Sequence, residues 1–314
     1  MQTRIVQMGA AIAAVVLALT VARTMAFAAS DKESCSETDM NVTNMNPDGT
    51  KAICDAATGP PNNATAKASD LGVADSLAED GSKTESSASG AGAEATAEAL
   101  SGGDAAATAS GEDALATAGS EGDSNATATA KGAGAHATSE AAPGSSTKAT
   151  ASGLDSTATA SINYTGNATS TATDGGEATA EINEAGGGDA VATAKDDGEA
   201  GSVVEGGGGK ATSDSSGAGS EAAADAEDGG AAKATASDGA DDVVAGAGAA
   251  DCKATATGSG AGSKEGADCE NAGSVVTATA TKGSIAQGSD SAAPVCTPKN
   301  GGIAKVNSPM GNCG

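Results

Sequence analysis

An Ala-Thr-Ala motif, or a close relative of it, returns about every ten residues along this chain, and nothing else in the sequence restricts the fold as strongly. Its central residues are Thr96, Thr108, Thr117, Thr127, Thr138, Thr150, Thr159, Thr169, Thr179 and Thr193, separated by 9 to 14 residues. Later copies at Thr212, Thr235, Thr255 and Thr277 are spaced by 19 to 23, about two beats, and the pairs Val203-Val204 and Val243-Val244 occupy skipped places. A short, nearly constant period of this kind is the signature of a stacked repeat architecture.

Inside each copy Ala alternates with Thr, Ser, Lys or Glu, as in Lys148-Ala149-Thr150-Ala151-Ser152. Period two is the strand pattern, with Ala on one face and polar groups on the other. Stretches such as Asp174-Gly175-Gly176, Asp197-Gly198 and Asp238-Gly239 separate the copies and supply turns. Helix competes poorly despite the alanine, because each interior Gly costs ~1 kcal/mol and no apolar stripe of period 3.6 is present. The expectation is all-β: an Ala/Thr/Gly-rich β-solenoid or β-roll of ten-residue beats, two strands to each coil of about 20 residues. Its core is a thin seam of Ala methyl groups, closed by backbone hydrogen bonds between coils.

Composition keeps a second outcome open. Aromatic residues are 1% of the chain, Trp is absent, and residues 30–314 contain 21 Leu, Ile and Val. Burial yields only ~25 cal/mol per Å² of apolar surface, against roughly 1–2 kcal/mol to order the backbone of each residue. Few large apolar side chains together with high net charge also describe a disordered chain. The alternative is therefore a largely disordered, low-complexity chain with disulfide-closed ends.

The first residues read as a signal peptide over 1–28: MQTR is a basic start, IVQMGAAIAAVVLALTVA an apolar run, and Ala26-Phe27-Ala28 a small-residue cleavage pattern. No second apolar run of membrane length follows, so the expected product is exported, in the extracellular space or cell envelope, without membrane insertion after cleavage. Both Arg residues, Arg4 and Arg23, leave with that segment, and the charge moves from −26 to −28, with 14 Lys against 42 acids. Such a surface is unsuited to nucleic acid or anionic lipid, which are bound through Lys and Arg. The remaining chain divides into an N-terminal disulfide segment over 29–60, the repeat region over 61–251, and a C-terminal disulfide-stapled segment over 252–314.

Six cysteines in an exported chain point to disulfides. Cys35 and Cys54 are 19 apart, while Cys252 and Cys269, and likewise Cys296 and Cys313, are 17 apart. This spacing favours three local bridges, Cys35–Cys54, Cys252–Cys269 and Cys296–Cys313, each closing a loop worth about 3 kcal/mol by the chain-entropy estimate. No Cys-x-x-Cys or Cys/His cluster suggests a metal site.

Two resemblances add to this reading. The repeats Thr157-Ala158-Thr159-Ala160 and Gly132-Ala133-Gly134-Ala135 resemble the head repeats of trimeric autotransporter adhesins, which implies a left-handed β-roll and binding to a host matrix. The segment CSETDMNVTNMNPDGTKAIC from Cys35 to Cys54, with the Ala/Gly tract after it, is similar to an uncharacterised family of secreted Ala/Gly-rich actinobacterial proteins; that likeness implies secretion.

Catalysis is poorly equipped. The single His, His136 in AGAHATSE, occupies an outward slot of a repeat, and no Gly-x-Ser-x-Gly elbow occurs. GGGGKATS at Gly206 to Ser213 resembles a phosphate loop, but Val204 and Ala211 stand where that loop needs Gly and Ser or Thr. No catalytic or cofactor-binding residue is expected. Asp238 to Asp251 partly resembles a calcium-binding nonapeptide repeat, with Asp241, Asp242 and Asp251 as the candidate ligands. Ice binding is the alternative of a different class. Thr residues two apart on a strand are roughly 6.6 Å apart, and Thr127/Thr129, Thr157/Thr159, Thr171/Thr173, Thr255/Thr257 and Thr277/Thr279 fit that pattern. Sequons occur at Asn41, Asn63, Asn125, Asn163 and Asn167, and Tyr164 is the one aromatic after the leader.

The sequence thus describes an exported, acidic, non-enzymatic repeat protein with a structural or surface-associated, adhesive role at a cell envelope or matrix surface. Peptide mapping under non-reducing conditions should recover the three local Cys pairs; a Cys54–Cys252 link would overturn that arrangement.

Overall fold

The computed structural model describes the strands from Val42–Met45 to Ile303–Val306, with the corners between residues 72 and 260 apart from 79–82, 101, 123, 184–186, 228–229, 239–241 and 249–252. Side chains are described within the strands from Ala64 to Thr281. The leader segment 1–28 and residues Cys35, Cys252 and Cys313 lie outside the described residues.

The chain is a β-solenoid. Successive strands alternate between two 13-stranded sheets, the first opening with Val42–Met45 and the second with Lys51–Ala56. All neighbours within a sheet are parallel: His136–Ala141 pairs residue for residue with Thr157–Asn163, and Ser145–Ser152 with Gly166–Thr173. Two strands and two corners make each coil of about 21 residues. The expected β-solenoid is therefore the fold, and the disordered alternative is not. Strands of the segments 29–60 and 252–314 are rungs of the same two sheets as the repeat region.

Register explains why the beat drifts. On the second sheet Thr96, Thr117, Thr138, Thr159 and Thr179 stand on consecutive rungs of one column. On the first sheet the motif Thr falls in two neighbouring columns: Thr108 and Thr150 lie in one, Thr127 and Thr169 in the other. A step of 9 or 12 residues thus marks a change of column within a coil of nearly constant length.

Alternation delivers the core. Glu94–Ala99 buries Ala95, Ala97 and Ala99, and Asn125–Lys131 buries Ala126, Ala128 and Ala130. Among the described residues, the buried apolar side chains are Ala everywhere except Ile162, Ile182, Val204, Val243, Val276 and Cys269. Each Ala buries little more than one methyl group, ~0.8 kcal/mol. Inter-rung hydrogen bonds, worth about 0.5–1.5 kcal/mol net each, therefore carry a comparable share. The bonding continues round the corners: the amides of Gly90, Gly111 and Gly132 donate at 2.8 Å to the carbonyls of Ser110, Lys131 and Ser152 in the next coil. Here glycine is required. Gly111, Gly132 and Gly153 have φ of 143°, 135° and 132°, and a Cβ on any of them would collide with the carbonyl of the glycine one coil earlier.

Three of the larger core residues share one column. Ala141, Ile162, Ile182, Val204 and Ala226 form one inward column of the second sheet. Across the adjoining corner, Gly166 and Gly188 lie where a Cβ would come within 2.8 Å of the Cδ1 atoms of Ile162 and Ile182. Coils with Ser120 and Ala141 in the column have Ser124 and Ser145 at that corner instead. Buried Glu265 is handled in the same way: its carboxylate occupies the space opposite Gly258, where any Cβ would collide with it. Two buried serine pairs cross the seam, Ser76 to Ser86 and Ser202 to Ser213, both 2.8 Å between oxygens. Ser86 and Ser213 pass their own protons to the carbonyls of Thr96 and Ala223.

By contrast, the hydroxyls of Ser139 and Ser170 are buried without a hydrogen-bond partner, in columns whose neighbours are Ala118 and Ala160, and Ala149 and Ala192. Ser139→Ala and Ser170→Ala should each stabilise the fold by about 1 kcal/mol, since a buried unsatisfied hydroxyl is a net cost. Ile182→Ala should cost about 2–5 kcal/mol through the cavity it leaves. Urea unfolding followed by circular dichroism reads both signs.

Candidate functional surfaces

With methyl groups filling the interior, chemistry is left to the outer faces and the corners. The central outward column of the second sheet is the unbroken threonine run Thr96, Thr117, Thr138, Thr159 and Thr179. The first sheet carries Thr108, Thr129, Thr150, Thr171 and Thr193, interrupted by Asp214 and resumed at Thr235, Thr257 and Thr279. Neighbouring rungs are ~4.8 Å apart, so hydroxyl and methyl groups repeat at that interval along the stack.

The threonine pairs anticipated for ice binding divide between the faces. Thr157/Thr159 is on the second sheet, and Thr127/Thr129, Thr171/Thr173, Thr255/Thr257 and Thr277/Thr279 are on the first. Thr171/Thr173 is displaced one column from Thr127/Thr129, because Thr171 is in register with Thr129 through Thr150. Continuity therefore runs along the stack, not along the strands.

The flanking columns differ between the two faces. On the second sheet, among strands with described side chains, the outward positions hold Asp75, Glu94, Glu98, Glu140, Glu177, Glu181, Glu199, Glu221, Asp225, Asp242 and Asp268 against Lys264 alone. On the first sheet they hold Lys67, Lys83, Lys131, Lys148, Lys210, Lys233 and Lys253 against Glu85, Asp189 and Asp214. An acidic chain has thus sorted its charges by sheet. Net charge, as read from the sequence, does not reveal this sorting. The available signal was the parity of the beat, since these lysines fall on alternate strands.

The remaining candidates are scattered. His136 is exposed in an outward position between Leu115 and Thr157 of the adjacent rungs. Gly206 to Ser213 leads into the strand Lys210–Ser216, with no helix N-terminus to receive a phosphate. Of the calcium candidates, Asp241 and Asp251 lie outside the described residues, and Asp242 opens a strand between Glu221 and Lys264. Among the described residues, no three His, Cys, Asp or Glu side chains gather as a metal site. Cys54 is in register with Ser76, Cys296 with Ala278, and Cys269 is buried. Asn125, Asn163 and Asn167 are exposed, and the Asn125 amide donates to Asp104 at 3.1 Å. Tyr164 is half-exposed at a corner with φ of 83°.

Acid density peaks beside the corner recess lined by Asp155, Thr157, Gly175, Glu177, Asp197 and Glu199. Glu177, Glu199, Glu221 and Asp242 follow one another on consecutive rungs. Burial raises the Glu177 carboxyl above its ordinary value and Glu199 raises it further. Burial together with Glu205 does the same to Glu181, and burial alone to Glu140. A carboxyl raised in the folded state holds a proton that the unfolded chain would release. Its ionisation therefore costs stability as pH rises from the ordinary value of 4.5 through the folded one. Stability should accordingly increase as pH is lowered through the folded value toward 4.5, and Glu177→Gln with Glu181→Gln should flatten that slope, read as Tm against pH.

No protein-family model, curated protein or solved structure matches this chain.

Proposed function

We propose that this chain is an exported, non-enzymatic structural protein that associates with surfaces through the flat outer faces of its sheets. The observation that carries this reading is the pair of threonine columns, Thr96 to Thr179 and Thr108 to Thr193, each five rungs long on an outer face. A stack with repeated hydroxyls and methyls offers many weak, evenly spaced contacts, which suits adhesion to an envelope or matrix. The three disulfides belong to the same reading. Cys54 is in the second strand of the chain and Cys296 in the penultimate one, so bridges to Cys35 and Cys313 would close rungs that have a sheet neighbour on one side only.

Ice is a second reading, favoured by the double periodicity of the first-sheet face. Rungs ~4.8 Å apart and pairs roughly 6.6 Å apart, as at Thr127/Thr129 and Thr277/Thr279, supply two spacings able to hold ordered water, although Lys148, Val191 and Lys233 interrupt the second column. One variant addresses both readings. Thr129→Lys/Thr150→Lys/Thr171→Lys places charges on that face while leaving every buried residue in place. It should keep the strand spectrum of the parent and lose retention on envelope or matrix preparations; loss of thermal hysteresis as well would assign ice as the target. Equal retention by parent and variant would sink the use of this face.

A further inference from the structure

The sorting of charge by sheet has no internal purpose visible in the fold. Lys67, Lys83, Lys131, Lys148, Lys210, Lys233 and Lys253 are all exposed on the first-sheet face. Lys83 approaches Asp104 at 3.8 Å, and among the described residues the other six make no ion pair. Among the described side chains, eleven outward acids are on the opposite side of the same molecule, beyond the alanine seam, against Glu85, Asp189 and Asp214 on the lysine side, where Asp189 is in register with Lys210. On that side Glu177, Glu199, Glu221 and Asp242 are stacked on consecutive rungs, where like charges ~4.8 Å apart repel. Each face thus carries a surplus of one sign of charge, and the other face carries the opposite surplus.

We propose that the lysine-bearing first-sheet face of one molecule docks on the acidic second-sheet face of another copy of this chain. Three features select a second copy as the occupant. Charge is complementary: among the described side chains, seven Lys with three acids face eleven acids with one Lys. Pitch is shared, because both sheets are built from the same coils, so a contact made at one rung recurs along the stack. Area suffices: thirteen rungs ~4.8 Å apart and strands ~20 Å long give each face roughly 1,000 Å², above the ~800 Å² per partner of a stable interface. Thr, Ser, Gly and Ala between the charged residues keep the faces low enough to approach. A dense polyanion fits less well. The lysines are separated along each column, Lys148 standing between Thr127 and Thr169, and Lys210 between Asp189 and Ala231.

The contact joins unlike faces, so it does not close on itself and extends as an open pile of solenoids. It goes beyond the surface-binding reading and is separable from it, because it depends on charged positions and not on the threonine columns. Net charge opposes association at long range. At physiological ionic strength that repulsion is screened beyond about 8 Å, while facing charges remain within that distance.

The experiment is sedimentation velocity on the purified exported chain at about 0.15 M salt. The expected result is a mass above one monomer that rises with protein concentration and falls to the monomer in 1 M salt, where screening acts within about 3 Å. Lys148→Glu/Lys210→Glu/Lys233→Glu/Lys253→Glu makes both faces acidic, and Glu177→Lys/Glu199→Lys/Glu221→Lys adds lysines to the acidic face. Each variant alone should sediment as monomer, and their equimolar mixture should recover the heavier species. A parent chain that stays monomeric at every concentration overturns the proposal, whether or not the variants fold. So does association of the lysine-to-glutamate variant equal to the parent's. Retention of a monomeric parent on immobilised polyanion, lost in that variant, would overturn it in favour of a polyanionic partner.

Discussion

Every other property of this molecule follows from the backbone ladder between adjacent coils. The ladder demands that each coil lie flat on the last with nearly the same length, because a misplaced residue would turn an inward side chain outward. Alanine satisfies that demand. A single methyl group permits two sheets to face each other closely, and it makes successive rungs alike enough to continue. Even the corners obey, with Gly90, Gly111 and Gly132 bonded coil to coil in a conformation that a Cβ would block.

A core built this way stores little energy per residue and has no spare room. Where Ile162, Ile182 and Val204 enlarge the seam, glycine withdraws at the neighbouring corner; where Glu265 enters it, Gly258 yields the space. Such substitutions come in matched sets, so variation is confined to outward positions. Those positions carry the threonine columns and the charges. Among the described residues, the outer faces are free to acquire a task without disturbing the ladder.

Much of the fold was legible in the sequence. The alternation in Lys148 to Ser152 gave the strand, and the recurrence of Thr96, Thr117 and Thr138 gave the coil. The assignment of beats to columns was not legible, because Thr127 and Thr129 look equivalent until register places Thr129 under Thr150. Without columns the threonines read as an interrupted set of pairs. The sorting of charge was hidden for the same reason: a running tally mixes Lys210 with Glu199 and Glu221, which lie on opposite faces. Matched pairs such as Ile182 with Gly188 are close in sequence yet unremarkable there, since glycine is common at every corner.

Sorting also bears on how the fold tolerates its own acidity. Strict repetition would place a carboxylate at the same position on every rung, and along most of the second sheet the sequence avoids this. Leu115, His136 and Thr157 separate Glu94 from Glu177 in one column, and Gly119 and Ser161 interrupt the other. From Glu177 to Asp242 the interruptions stop, and at the start of that run burial and the neighbouring Glu199 push the Glu177 carboxyl up. In those coils Glu199, Glu221 and Asp242 are each followed, one strand later, by Lys210, Lys233 or Lys253 on the other sheet. The seam, about 10 Å across, and the outward reach of both side chains hold each such pair beyond the ~8 Å at which salt screens charges. The repulsion within the acidic run is therefore left to the second sheet itself, and the charged ends of the lysines stay in solvent, available to a neighbour.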